Sequence, residues 1–295
     1  MNNQSDSNAA MSFYGFPEEA TNFERRHPLW QERMTRLTHA INSAFTRTQM
    51  MTSAEDKFVY FYGTLVAEDF MEIFLVAVNG YGIAAMKLVR SMYEHTVTLR
   101  YLHDHPNEVG AFIDYDHVQQ YKLMKPIMET FGKDVLPAET VADVERRYGE
   151  VRDKFMVKSC DCGAMRVNHT WSKLDFVSMA KKSGALGTLI VPGYFWPLRH
   201  GHSTFRAITD RMQTVDGRME FKRESQPVLA DQALGLAHNC ILVVLEIQNE
   251  RFKVEGLGAE IQACVRDWVE TWAPNSTLLK EGDSTKTAEG NVGQS

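Results

Sequence analysis

Apolar residues recur at intervals of three and four along almost every segment from residue 28 to residue 273, and this spacing constrains the fold most. In the first segment the pattern is formed by Leu29, Met34, Leu37, Ile41 and Phe45. Such a period places side chains on one face of an α-helix, whereas the alternating β-branched runs that predict strands are absent. We therefore predict an all-α fold, a single bundle of about eight helices.

Residues that cap or break helices divide this pattern into segments. Ser53 with Asp56 has the spacing of a capping box, and Pro197 is suited to a first helical position. The predicted helices cover about 28–45, 53–78, 83–103, 108–131, 137–157, 171–184, 197–212, 228–252 and 257–272. A small hairpin is predicted within 214–227, and 159–170 is expected to be irregular. We predict a polar, irregular leader (1–27), one helical domain (28–273) and a disordered tail (274–295).

Charge and cysteine content limit the class of protein. The formal net charge of -6 gives no overall basic character, which disfavours a general nucleic-acid binder. Four cysteines are too few and too scattered for a disulfide framework, and Cys240 and Cys264 are predicted to be buried thiols. The first residues do not resemble a signal peptide, and polar residues interrupt the most apolar run, 228–247. These observations predict a cytoplasmic protein with no membrane contact.

The segment from Leu88 to Leu102 carries the most informative polar residues. Arg90 and Glu94 are four residues apart on a helix that is apolar nearly all round, so we expect a substantially buried ion pair. One interpretation is a structural pair that fixes the helix register, for which loss of one partner would cost about 3–5 kcal/mol. The other is a binding or catalytic site in which Arg90 holds an anion and Glu94 orients the guanidinium.

Arg90 and His95 also form an arginine–x4–histidine pattern. This spacing resembles the signature of the HEPN superfamily of helical ribonucleases, in which the histidine and arginine act on a ribose hydroxyl and the scissile phosphate. The resemblance implies a metal-independent ribonuclease with Arg90 and His95 as catalytic residues. The offset of five, however, places His95 away from the stripe that holds Arg90 and Glu94.

A second histidine is predicted on an apolar helix face. His202 is in helical register with Leu198, Phe205 and Met212, so we expect it to point inward, while His200 is expected to point outward. A carboxylate bound to one nitrogen of the His202 ring would free the other nitrogen to act as a base. The alternative is a core histidine whose hydrogen bonds are satisfied.

Other motifs give weaker predictions. Residues 80–85 fit the glycine pattern of a dinucleotide site, but a long helical pattern precedes them, so we interpret the glycines as a turn between helices. Cys160, Cys162 and His169 would be the ligands of a metal site, but this spacing matches no known zinc finger. A metal-dependent hydrolase is therefore the least favoured hypothesis, and we predict no cofactor.

Three segments together resemble the bacterial domain-of-unknown-function family 5677. They are LVRSMYEHTVTLRYL, WSKLDFVSMAKKSG and YFWPLRHGHSTF, and the resemblance covers about residues 55–255. Carried over by position, it points to Arg90, Glu94, Tyr194 and His202. The resemblance implies a helical bundle without an established activity.

These observations lead to two main functional hypotheses. The first is a binding or regulatory module with a buried cleft of arginine, glutamate and histidine, associated with stress or defence. The second is the metal-independent ribonuclease. The expected partner is a small molecule, a protein or RNA, and a homodimer is compatible with either hypothesis.

Overall fold

The computed structural model describes residues 16–46, 51–158, 163–201, 205–222 and 224–272. The described chain is predominantly helical, which confirms the predicted all-α class. Eleven α-helices are described, compared with the nine ranges predicted: α1 (Glu19–Arg26), α2 (Trp30–Phe45), α3 (Ala54–Val78), α4 (Gly82–Asp104), α5 (Val109–Phe131), α6 (Ala138–Val151), α7 (Phe176–Lys182), α8 (Trp196–Gly201), α9 (Phe205–Thr209), α10 (Pro227–Phe252) and α11 (Leu257–Trp272). The predicted tail, 274–295, lies outside the described residues.

Two antiparallel hairpins interrupt the helices. Strands β1 (Met156–Lys158) and β2 (Met165–Val167) form the first hairpin. The sequence predicted the end of a helix here, followed by an irregular segment. Strands β3 (Met212–Val215) and β4 (Arg218–Phe221) form the second, which confirms the hairpin predicted near Asp216-Gly217. Asp216 and Gly217 both have positive φ, as tight hairpin turns require.

Local signals explain where the long helices begin and end. The N–H of Asp56 donates to Ser53 Oγ and the N–H of Ser53 donates to a carboxylate oxygen of Asp56, which confirms the capping box before α3. Gly80 ends the turn after α3 with a φ of 84°, so the glycines there form a turn between helices, as predicted.

The first unit of the chain comprises the described parts of 1–48, 60–96 and 189–295. Its core forms around α10, in which residues on nearly every side are buried, and α10 packs with α2 and α11. Of the described helices, only α10 is long and apolar enough to cross a membrane, and 56% of its most apolar window is buried inside the protein. That share is typical of a core helix. Cys240 and Cys264 are buried free thiols, as predicted.

The second unit comprises the described parts of 49–59 and 97–188. Tyr115 and Val118 of α5 pack with Val151 and Phe155 in an apolar cluster of this unit. The prediction of one helical domain over 28–273 stays a prediction.

Two predicted segments differ from the structure. The supposedly irregular leader contains α1, because Phe23 is buried and Arg26 bonds to the buried carboxylate of Glu19 at 2.9 Å. The predicted helix 197–212 extends too far, since 196–201 and 205–209 are helical but β3 begins at Met212. Phe205 and Ile208 are exposed, whereas their helical spacing predicted a buried apolar face.

Candidate functional site

Arg90 and Glu94 occupy consecutive turns of α4 and form the predicted ion pair. Arg90 Nε lies 2.8 Å from Glu94 Oε1. The side chains are 28% and 37% exposed, so the expectation of a substantially buried pair is wrong. Val89, Met92 and Tyr93 fill the buried face of α4, and the ion pair therefore lies along its edge.

Glu94→Ala should lower the free energy of unfolding by only about 0.5 kcal/mol, because water screens a part-exposed pair on one helix. Urea unfolding would measure this. Asp104→Ala is the matched control, since Arg100 and Asp104 form another pair four residues apart on α4, with side chains 26% and 33% exposed. A loss of several kcal/mol for Glu94→Ala alone would contradict the part-exposed geometry.

A π-helical turn, Val191–Phe195, brings Tyr194 against this ion pair. The guanidinium carbon of Arg90 lies 4.7 Å from the centre of the Tyr194 ring, within the range of a cation–π interaction. The approach depends on Gly193, because a Cβ there would lie 2.8 Å from Cγ of the buried Tyr93. Three residues that the family resemblance singled out, Arg90, Glu94 and Tyr194, are therefore brought together.

His200, at the end of α8, is half-buried, whereas the sequence predicted it to point outward. Burial lowers the pKa of His200 below its ordinary value. The positive charges of Arg199, Arg211 and Lys87 lower it further, and the negative charge of Asp210 opposes them. Burial and these positive charges therefore favour the neutral imidazole.

His95 has a carboxylate partner that the sequence analysis did not identify. His95 Nδ1 lies 2.7 Å from Asp69 Oδ2 of α3, and the rings of Tyr62 and His95 form a T-shaped pair with their centres 5.6 Å apart. Asp69 is in helical register with the buried Val66 and Ile73. An aspartate on this apolar face could have indicated a buried polar partner from the sequence, but the sequence analysis did not consider it.

Cys240 of α10 is not suited to be a nucleophile. It is fully buried, and burial raises the pKa of its thiol to about 12. Thr96 hydrogen-bonds to the thiol, while the negative charge of Asp69 raises the pKa further. A thiolate is the nucleophilic form of cysteine, and it is strongly disfavoured here.

The structure describes only one of the remaining predicted site residues. His202, Cys160 and Cys162 lie outside the described residues, and His169 is exposed. Over the described ranges, no group of three or more histidine, cysteine, aspartate or glutamate side chains is arranged to hold a metal ion. The roles predicted for Arg90, Glu94, His95 and His202 stay predictions.

The fold and this site define a helical protein with a polar site on α4. A family model, described as a family of unknown function (DUF5677), matches residues 66–219, slightly more than half the chain. The chain belongs to this family, which confirms the resemblance inferred from three segments. The matched region contains Asp69, Arg90, Glu94, His95 and Tyr194. Comparisons with curated proteins and with solved structures found no significant match.

Proposed function

We propose that the protein is a helical binding module that takes an anionic ligand at Arg90. The observation that carries this proposal is that Glu94 and Tyr194 hold the guanidinium from two sides while the side chain stays 28% exposed. A guanidinium held in place before binding loses less conformational entropy when a ligand arrives. Glu94 orients Arg90, and Tyr194 covers one face of its planar group.

We further propose that the protein is cytoplasmic. The buried share of α10 supports its assignment as a core helix rather than a membrane span. The association with stress or defence, and the identity of a small-molecule, protein or RNA partner, stay predictions.

A thermal-shift experiment tests the binding proposal with acetate, citrate, glutamate, phosphate and pyrophosphate as probes. A ligand that binds only the folded state raises the melting temperature. At least one of these anions should stabilise the wild-type protein, and Arg90→Gln should abolish that shift. Arg100→Gln is the matched control, because Arg100 also pairs with a carboxylate four residues later on α4.

The control variant should respond to the anion as the wild type does. Circular dichroism would establish that both variants remain folded. If no anion shifts the melting temperature, or if Arg90→Gln and Arg100→Gln respond equally, the binding proposal fails.

The metal-independent ribonuclease is the second candidate, and the Asp69–His95 pair is the observation that favours it. If His95 Nδ1 donates to Asp69, Nε2 becomes the basic nitrogen that would take a ribose 2′-hydroxyl proton. Arg90 would stabilise the charge of the phosphorane. Arg90 contacts Glu94 and Tyr194, whereas His95 contacts Asp69. A substrate would therefore have to reach both Arg90 and His95.

Under this second proposal, wild-type protein should cleave single-stranded RNA in the presence of EDTA. His95→Ala and Arg90→Ala should each lower the rate about a hundredfold or more, as loss of a general base or a charge-stabilising group does. Gel analysis of a labelled RNA would measure cleavage. Intact RNA after incubation with folded wild-type protein would contradict the ribonuclease proposal.

A further inference from the structure

The outer side of α3 exposes four large apolar side chains. Phe61, Leu65, Met71 and Leu75 are 61%, 37%, 45% and 63% exposed. By the 3.6-residue period they lie within about a third of the helix circumference, and 61–75 covers about 21 Å along the helix axis. Proteins that act as monomers rarely expose an apolar surface of this extent, and such surfaces mark interaction sites.

The charge on this side of α3 is acidic only. Residues 58–86 contain Glu68, Asp69 and Glu72 but no lysine, arginine or histidine. The Asp69 side chain is only 16% exposed and lies against His95, whereas Glu68 and Glu72 are exposed. These two glutamates and the four apolar side chains form what we call the α3 face. An occupant of the α3 face therefore needs apolar side chains with a positive charge beside them.

The hairpin of β3 and β4 has a surface of this kind. Directly opposed residues of antiparallel strands share a side, so Met212 with Phe221 and Thr214 with Met219 form one side of the hairpin. The Met219 and Phe221 side chains are 66% and 50% exposed. The guanidinium carbon of Arg211 lies 5.8 Å from the centre of the Phe221 ring, which places a positive charge beside them. We call these five residues the hairpin face.

The hairpin exposes more apolar surface than so small an element is expected to. A two-stranded hairpin is only marginally stable in water unless it packs against another element. All four residues of β4 are exposed, and Phe205 and Ile208 of the preceding α9 are 77% and 50% exposed. Exposed apolar groups on both α9 and β4 favour a chain that covers them.

We propose that the hairpin face of one copy of the chain binds the α3 face of a second copy, and that the two copies do so reciprocally. Both surfaces belong to the first unit. Contact between two α3 faces would bring Glu68 and Glu72 of both copies together, and like charges oppose that pairing. Contact with the hairpin face instead joins apolar side chains and places Arg211 beside carboxylates. A reciprocal pair is a closed two-fold dimer in which neither copy keeps a free face.

Sedimentation velocity at increasing protein concentration tests this association. The wild type should form a species of twice the chain mass of 33.6 kDa. Leu75→Ser and Met219→Ser should each weaken dimerisation roughly tenfold or more, since each removes a large apolar side chain from both symmetric contacts. Leu123→Ser is the matched control and should dimerise as the wild type does, because Leu123 is 64% exposed but belongs to the second unit.

Charge reversal identifies which two surfaces meet. Glu68→Lys/Glu72→Lys and Arg211→Glu should each weaken the dimer, because like charges then face each other at both contacts. An equal mixture of these two variants should recover the dimer. In the mixed dimer one contact joins two unchanged faces and the other joins two reversed faces, so opposite charges meet at both. Circular dichroism would establish that every variant remains folded.

Several results would overturn the inference. A wild type that stays monomeric up to its solubility limit would do so, as would a mixture of the charge variants that remains monomeric. A dimer that Leu75→Ser weakens but Met219→Ser does not would show that two α3 faces pair instead. Binding of a monomeric wild type, but not of Met219→Ser, to vesicles of phosphatidylcholine and phosphatidylglycerol would show that the hairpin face contacts a membrane surface instead.

Discussion

Asp267→Asn should lower the free energy of unfolding by about 2 to 3 kcal/mol, because it removes the negative charge that joins α2 to α11. Both oxygens of Asp267 accept hydrogen bonds from Arg36 at 2.8 Å, and Arg33 Nε lies 3.7 Å away. The Asp267 side chain is only 9% exposed. The hydrogen bond to Asp267 is also the main reason why the pKa of Arg36 is raised above its ordinary value.

Glu32→Gln is the matched control, since Glu32 pairs with the same Arg36 from the same helix. The Glu32 side chain is 67% exposed, so its loss should cost only about 0.5 kcal/mol. Urea unfolding followed by circular dichroism would measure both variants. Equal losses for Glu32→Gln and Asp267→Asn would mean that burial of Asp267 is not what makes its pair important.

Acidification from about pH 6.5 to about pH 4 should remove about 3 kcal/mol of stability through His238 alone. His238 is 1% exposed, and its Nδ1 accepts a hydrogen bond from Trp272 Nε1 at 3.2 Å. Burial lowers the pKa of His238 from its ordinary value of 6.5 to about 4, while the negative charge of Asp267 acts in the opposite direction. Protonation would also break the bond that Trp272 donates.

The direction of the effect follows from which state binds the proton. Between about pH 6.5 and 4 the unfolded chain is protonated at this residue and the folded chain is not, so the free energy of unfolding falls as pH falls. Below about pH 4 both states are protonated and this contribution levels off. Denaturant unfolding at several pH values would show the loss in the wild type.

His238→Gln should lose less stability over the same pH interval, even if the variant is less stable at neutral pH. His39→Gln, a change to a side chain that is 72% exposed, is the control and should keep the wild-type dependence. The same pH dependence in His238→Gln and wild type would contradict the assignment to His238.

Most helix positions could be predicted from local pattern alone. The bounds of α3, α4, α10 and α11 lie within one or two residues of the predicted ones, because capping residues and apolar periodicity act over a single turn. The segment 197–212 was predicted poorly. Its apolar residues have helical spacing, but Phe205 and Ile208 are exposed, so the periodicity there does not mark a buried face.

The candidate site was predictable only in part. The Arg90–Glu94 pair follows from a spacing of four on one helix, but its exposure does not, since that depends on which neighbouring helices cover α4. Tyr194 was singled out by family resemblance, and its distance from Arg90 depends on the glycine that lets the segment approach Tyr93.

By itself, the sequence determined the helical class, the main helix bounds and the pairing of residues within one helix, because these depend on contacts a few residues apart. Tertiary structure decided which side chains from different helices meet, as in Asp69 with His95 and Arg36 with Asp267. Apolar periodicity shows which face of a helix is buried but not which helix packs against it. Each of these pairs therefore exists only because packing of the apolar faces brings two distant segments of the chain together.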